Sequence, residues 1–179
     1  MTATPGLIDD FLREHPETAI GTRWQLLSDA VMGGVSAGRM ARTEHAGRHA
    51  IRMQGEVSLE NNGGFLQIAL DLAPDGGSFD ASGFTGVAIV VAGNGEEYGL
   101  HLRTSELTRP WQSYRTSFVA RPDWQDIRFP FAGFVAHRTE TPLNLRLLRR
   151  LGIVAIGRAF AADVAVGGLH FYRAGPDAA

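Results

Sequence analysis

The stretch Ala50-Ile51-Arg52-Met53-Gln54-Gly55-Glu56-Val57-Ser58 decides the fold class, because it sets Ile51, Met53, Gly55 and Val57 against Arg52, Gln54, Glu56 and Ser58. A period of two is the pattern of a strand with one buried and one wet face. Working outward, similar short runs punctuated by Gly, Asn, Asp and Pro recur at 23–27, 38–43, 64–72, 85–92, 97–104, 112–119, 125–130, 151–157 and 164–172. Ten short strands with few helices predict an all-β protein built as a two-sheet β-sandwich. Val87-Ala88-Ile89-Val90-Val91 is apolar on both faces, which predicts a central strand covered on both sides. Asn94-Gly95 suits a tight hairpin turn, since both residues tolerate positive φ, and would pair that strand with 98–103. The segment Glu44 to His49 reads as a second hairpin turn. Leu7, Ile8, Phe11 and Leu12 fall at helical spacing between Pro5-Gly6 and Pro16, predicting a short N-terminal helix over 7–14. Residues 143–150 suit a helical turn over the core edge.

With 179 residues, of which 44% are hydrophobic, the chain has the length of a single domain, 1–179. The sandwich is expected over 23–173 and a loose tail over 174–179. A formal charge of −2 offers no broad attraction for nucleic acid. The absence of cysteine excludes disulfides, thiolate catalysis and cysteine-rich zinc sites. The first residues lack the basic start and apolar run of a targeting peptide, and no stretch has the length and apolarity of a membrane-spanning helix. A cytoplasmic, bacterial protein, most simply a monomer, is the expectation.

Two runs mark the candidate working surface. Ser28-Asp29-Ala30-Val31-Met32-Gly33-Gly34-Val35-Ser36 is answered by Glu56-Val57-Ser58-Leu59-Glu60-Asn61-Asn62-Gly63-Gly64-Phe65. Paired glycines beside apolar strands occur where a sheet edge bends and backbone approaches something closely. Asp29, Gly33, Gly34 and Ser36 on one side, and Glu60, Asn61, Asn62, Gly63 and Gly64 on the other, are candidates for binding sugar hydroxyls, a partner's backbone or a hard cation. The same short polar side chains also satisfy exposed backbone at bends, which is their commoner use. A second set, Arg103, Thr104, Arg109, Trp111, Tyr114 and Arg115, combines flat aromatic faces with fork-shaped donors and suits a sugar or a peptide. Its structural alternative has Tyr114 and Trp111 as packing residues and Arg103 paired with Asp29 or Glu60.

Neither glycine run carries the lysine and spacing of a phosphate loop or the dinucleotide pattern. His45 and His49 have the spacing of a helical metal pair but sit in a turn, where it loses that meaning, and no metal or cofactor is expected. Asp29 and Glu60 are the one carboxylate pair to consider for glycoside hydrolysis, which needs two carboxyls ~5–9.5 Å apart. No nucleophile elbow is present, and the expectation is a noncatalytic protein.

The two glycine runs resemble the signature of the complex I intermediate-associated protein 30 family. Further landmarks follow in the family's order: Tyr98-Gly99-Leu100-His101-Leu102-Arg103-Thr104, Tyr114 and Phe118, Trp124-Gln125-Asp126-Ile127-Arg128-Phe129-Pro130-Phe131 with Phe134, and Leu151-Gly152-Ile153. The resemblance, which spans residues 24–172, implies a jelly roll of galactose-binding-like type. It also implies a protein-binding module that aids assembly of a multisubunit complex, with respiratory-complex subunits as the implied partner class. The alternative is a small-ligand, carbohydrate-type binding module.

Overall fold

Alternating apolar residues along the chain pair into strands wherever turn chemistry lets the backbone reverse. The computed structural model describes residues 5–174. Within them run β1 (Leu7–Asp9), β2 (Gln25–Ser28), β3 (Ala37–His45), β4 (Arg48–Val57), β5 (Phe65–Asp71) and β6 (Gly86–Gly93), then β7 (Glu97–Thr104), β8 (Ser113–Val119), β9 (Gln125–Pro130), β10 (Val135–His137), β11 (Leu148–Ile156) and β12 (Phe160–Tyr172). One sheet has the order β3-β4-β12-β6-β9, with β1 also on β12; the other has β10-β8-β7-β11-β5-β2. The architecture is an all-β two-sheet sandwich.

The period-two segment forms β4 as read, with Ile51, Met53 and Val57 buried. Each such side chain contributes roughly 1.5–3 kcal/mol on full burial. Their partners across the sandwich include Leu66, Ile68 and Leu70 of β5, Leu100 and Leu102 of β7, and Leu151 and Ile153 of β11. The strand β6 is central in its sheet, between β12 and β9. Its outward Ala88 and Ala92 are fully buried along with its inward Val87, Ile89 and Val91. The β3–β4 hairpin turns at Ala46 and Gly47, both at positive φ, with His45 opposite Arg48.

Three expectations are corrected. Residues 7–14 form no helix: Leu7 to Asp9 pair with the end of β12, and Phe11 adopts a φ of 60°. Ile8 and Phe11 are both buried, so helical spacing here arises from a strand followed by a kink. Asp9 fixes that kink, accepting from the Phe11 amide at 3.0 Å and from the Trp24 indole at 2.8 Å. The Asn94-Gly95 turn does not join a hairpin. It carries the chain from β6 in one sheet to β7 in the other, whose neighbours are β8 and β11. The Asn94 side chain holds this step, donating to the Ala161 carbonyl at 2.8 Å and accepting from Tyr98 at 2.7 Å. The helical turn expected over 143–150 shrinks to a single 3-10 turn, Leu145–Leu147, before β11 begins. The tail expected over 174–179 lies, beyond Ala174, outside the described residues. No helix among the described residues is long and apolar enough to cross a membrane.

Candidate functional site

The two glycine corners meet, and they meet at Asp29. After β2 a 3-10 turn begins at Asp29, capped by the Ser28 hydroxyl accepting from the Ala30 amide, and ends at Gly33 with φ 84°. Asp29 is completely buried. Its Oδ1 accepts from the Ser36 amide at 3.0 Å, and its Oδ2 from the Ser36 hydroxyl at 2.5 Å, the Gly64 amide at 2.5 Å and the Phe65 amide at 3.2 Å. Ser36 in turn accepts from the Ser58 amide at 2.8 Å. Burial by itself would raise the carboxyl's pKa, but the hydrogen bonds from Ser36, Gly64 and Phe65 outweigh it and hold the group below the ordinary carboxylate range. Four donors occupy both oxygens, so Asp29 acts as a clamp between the corners.

The glycines follow from this clamp. A Cβ on Gly34 would stand 2.4 Å from Asp29 Cγ, and one on Gly63 2.5 Å from Asp29 Oδ2. Glu60 and Asn61 are exposed on the adjoining 3-10 turn, Asn61 at φ 54°; Asn62 belongs to the same turn. Asp29 and Glu60 thus occupy opposite environments, one sealed and one in water.

The second sheet presents a different surface. Alternation along β7 turns Tyr98, Leu100, Leu102 and Thr104 inward and His101 and Arg103 outward. Along β8, Tyr114 and Phe118 point into the core and Arg115 outward. Thr104 and Tyr114 therefore lie on the core side: Tyr114 is 1% exposed and donates to the Thr141 carbonyl at 2.7 Å. Arg103 and Trp111 lie on the outer side, where a groove of about 510 Å³ opens across the sheet. Phe65, Val154 and Ile156 form apolar parts of its floor, and the Gln67 side chain lies where a Cβ on Gly152 would be, 2.1 Å from its Oε1.

Trp111 stands at the rim, 54% exposed. Its loop is fastened from below. Arg103 Nη1 lies 2.7–2.9 Å from the carbonyl oxygens of Arg109, Pro110 and Gln112. Gln112 Oε1 accepts from the amides of Thr108 and Arg109, and its Nε2 donates to the Arg138 carbonyl. Arg103 thus pairs with carbonyls rather than with Asp29 or Glu60. The Arg109 guanidinium sits 5.9 Å from the Trp111 ring centroid. The indole is thus left half-exposed beside the apolar floor, on a loop fastened to the sheet.

Burial and the neighbouring Arg150 and Arg149 push the Arg103 guanidinium pKa down; burial and Arg138 do the same for Arg115. His101, in the groove wall, is pushed down to about 3 by burial and then by Arg115 and His137, so it is neutral at physiological pH. Gln67, Arg150, Val154 and Ile156 were not singled out by sequence reasoning, and Phe65 and Gly152 were quoted in motifs but not as site residues. The signal available for them was the outward parity of β5 and β11, which needs the strand order to be read. Among the described residues no group of three or more His, Asp or Glu side chains gathers as a metal site.

The family 11 carbohydrate-binding module from Clostridium thermocellum, determined in complex with a β-1,3-1,4-mixed-linked tetrasaccharide, superposes with a TM-score of 0.74 at 12% identity, covering 96% of this chain and 98% of that one. A family 30 carbohydrate-binding module of a C. thermocellum cellulosomal cellulase gives 0.64 at 12% identity, covering 88% and 94%. An exo-β-agarase gives 0.61 at 11% identity, covering 97% of this chain and 25% of the enzyme. At these identities the likeness is one of fold, the jelly-roll sandwich. Among curated proteins none matches the sequence. Residues 13–165, from before β2 into β12, match the family described as complex I intermediate-associated protein 30, and the chain belongs to that family.

Proposed function

We propose that this chain is a noncatalytic binding module that holds a partner polypeptide in the groove of its second sheet and so aids assembly or stability of a multisubunit complex. Respiratory-complex subunits are the partner class that the family suggests. The observation that carries the reading is the exposed Trp111 on a loop fixed to the sheet by Arg103, facing an apolar floor. Rigid Trp and Arg side chains over a desolvated depression are the features of interface hot spots. The sealed state of Asp29 supports a noncatalytic role, since the carboxylate is fully buried and its four hydrogen bonds all come from the chain's own donors. Affinity purification of the tagged protein from its native cells, beside Trp111→Ala, tests the proposal. Respiratory-complex subunits recovered with the native chain and lost with the variant are expected; equal recovery with both refutes the groove as the contact.

A second reading is a carbohydrate-binding module, favoured by the concavity of the site and its aromatic rim. Titration with cellotetraose and with mixed-linkage β-glucan tetrasaccharide distinguishes it: saturable shifts of the Trp111 indole resonance would favour sugar over polypeptide.

A further inference from the structure

We infer that the groove's occupant is an extended, acidic polypeptide segment whose sheet-facing side chains alternate between carboxylates and apolar groups, an inference that rests on the polypeptide-binding reading above. Three guanidinium groups, Arg103, Arg115 and Arg150, enter the main groove, and no carboxylate lines it. Arg150 is paired with Asp71 at 3.0 Å. Arg103 contacts backbone carbonyls and Arg115 the Ser113 hydroxyl at 2.7 Å; among the described residues neither forms a salt bridge. Two half-buried cations are thus left without an anion in a chain whose formal charge is −2. Unpaired charge at that depth is costly unless a ligand supplies the counter-charge, and a guanidinium fork binds a carboxylate in two parallel hydrogen bonds.

Shape selects a chain over a compact anion. The groove continues toward Leu27 of β2 at one end, where Arg149 joins it, and toward Val135 of β10 at the other, where Glu97 is the one carboxylate among the lining residues. It therefore crosses all six strands, five spacings of about 4.8 Å, or about 24 Å. An extended heptapeptide spans about 23–25 Å.

The lining selects peptide over sugar. Of the amide and hydroxyl side chains lining the main groove, Gln112 is spent on three backbone partners and the Ser113 hydroxyl accepts from Arg115, which leaves the Gln67 amide to meet sugar hydroxyls. Apolar floor lies between the arginines instead, at Phe65, Val154 and Ile156, with Val135 69% exposed at the far end. Every second side chain of an extended segment faces the sheet, so carboxylates and apolar groups that alternate among those sheet-facing positions meet the arginines and the floor in turn.

The test is a titration of the ¹⁵N-labelled full chain, followed by amide and indole shifts, with a capped heptapeptide at millimolar concentration that carries aspartate and leucine in turn at its four odd positions and serine between them. Expected are shifts at Trp111, Gly152 and Val154, affinity at least tenfold lower for Arg115→Gln, and retention within a few-fold for Arg115→Lys. Raising the salt from about 0.01 M to about 0.15 M, which shortens the screening length severalfold, should weaken binding. The spectrum of each variant reports its folding directly. No shifts, or equal shifts with the asparagine–leucine counterpart, would overturn the inference; so would tighter binding of tetragalacturonate at the same amides. If Trp111→Ala abolishes partner recovery from cells while the acidic peptide fails to bind, the polypeptide-binding reading stands and the acidic occupant falls. If recovery is unaffected by Trp111→Ala yet the peptide binds as described, that reading falls and the groove's preference for acidic chain stands.

Discussion

Replacing Asp29 with asparagine changes one oxygen to an amide and leaves the volume unaltered, so its cost isolates the polar clamp. The amide oxygen can keep one side of the carboxylate's partners. If it takes the Oδ2 position it retains the Ser36 hydroxyl and the Gly64 and Phe65 amides, but its NH2 then faces the Ser36 N–H, which had donated at 3.0 Å. Donor meets donor. One buried N–H is left unsatisfied, at about 1–3 kcal/mol, and the three remaining bonds lose the strengthening that a charged acceptor gives. A total near 3 kcal/mol follows, and for a chain of this length that lowers Tm by about 6–12 °C. The pH dependence has a definite sign. The folded carboxyl titrates below its unfolded value of 3.8, so its stabilisation is complete above that value and disappears as pH falls through the folded pKa. Calorimetry or circular dichroism melts at pH 7 and at successively lower pH should therefore show the wild-type advantage narrowing only below about pH 4. A Tm change under about 2 °C at neutral pH, or a gap that stays constant into strong acid, would refute the clamp.

Gly63→Ala puts a methyl group against the same carboxylate, 2.5 Å from Oδ2, and should destabilise by about 1–3 kcal/mol in urea unfolding, more than Gly133→Ala, where a Cβ meets nothing within 4 Å. Tyr98→Phe removes a hydroxyl that accepts from the Asp163 amide at 2.8 Å and donates to Asn94 at 2.7 Å, and should cost about 1–3 kcal/mol while leaving the spectrum of the second sheet's outer face unchanged. The native Tyr98 phenol, pushed up to about 12 chiefly by burial, should show no ionisation in ultraviolet difference spectra at pH 10. His101 should keep constant imidazole carbon shifts from pH 8 to about pH 4, because its folded pKa lies near 3; because the unfolded histidine takes up its proton near 6.5, its contribution to stability falls as pH drops below that value. A midpoint near 6.5 in the folded protein would show the groove wall to be far wetter than described.

The all-β architecture was legible because a single face of alternation, as in Ile51, Met53 and Val57, has few other solutions. Turn chemistry was legible as reversal but not as destination. Asn94-Gly95 bends the chain as its residues require, yet whether the next strand returns to the same sheet depends on β8 and β11, which offer Glu97–Thr104 two partners in the opposite layer. The N-terminal segment misled for a related reason: Ile8 and Phe11 are three apart and both buried, and only the positive φ at Phe11, anchored by Asp9, distinguishes a kinked strand from a helix. In the candidate site, Arg103 and Trp111 were visible because they are close in sequence. Thr104 and Tyr114 share that neighbourhood, but strand parity turns them into the core. The floor residues come from β5 and β11, some ninety positions apart in the chain, and no local pattern joins them.

The two strands at the centres of the sheets are the last two in chain order among the described residues. β11, at Leu148–Ile156, lies between β7 and β5, while β12, at Phe160–Tyr172, pairs with β4 along its first half and with β1 along its second, and with β6 on its other edge. β1, β4, β5, β6 and β7 all precede the central strand that they pair with, so one edge of each stays unpaired until residues 148–172 are in place. Joining the two parts of each sheet therefore waits on residues 148–172, and truncation before residue 148 removes not a margin of the molecule but the seam that holds both sheets together.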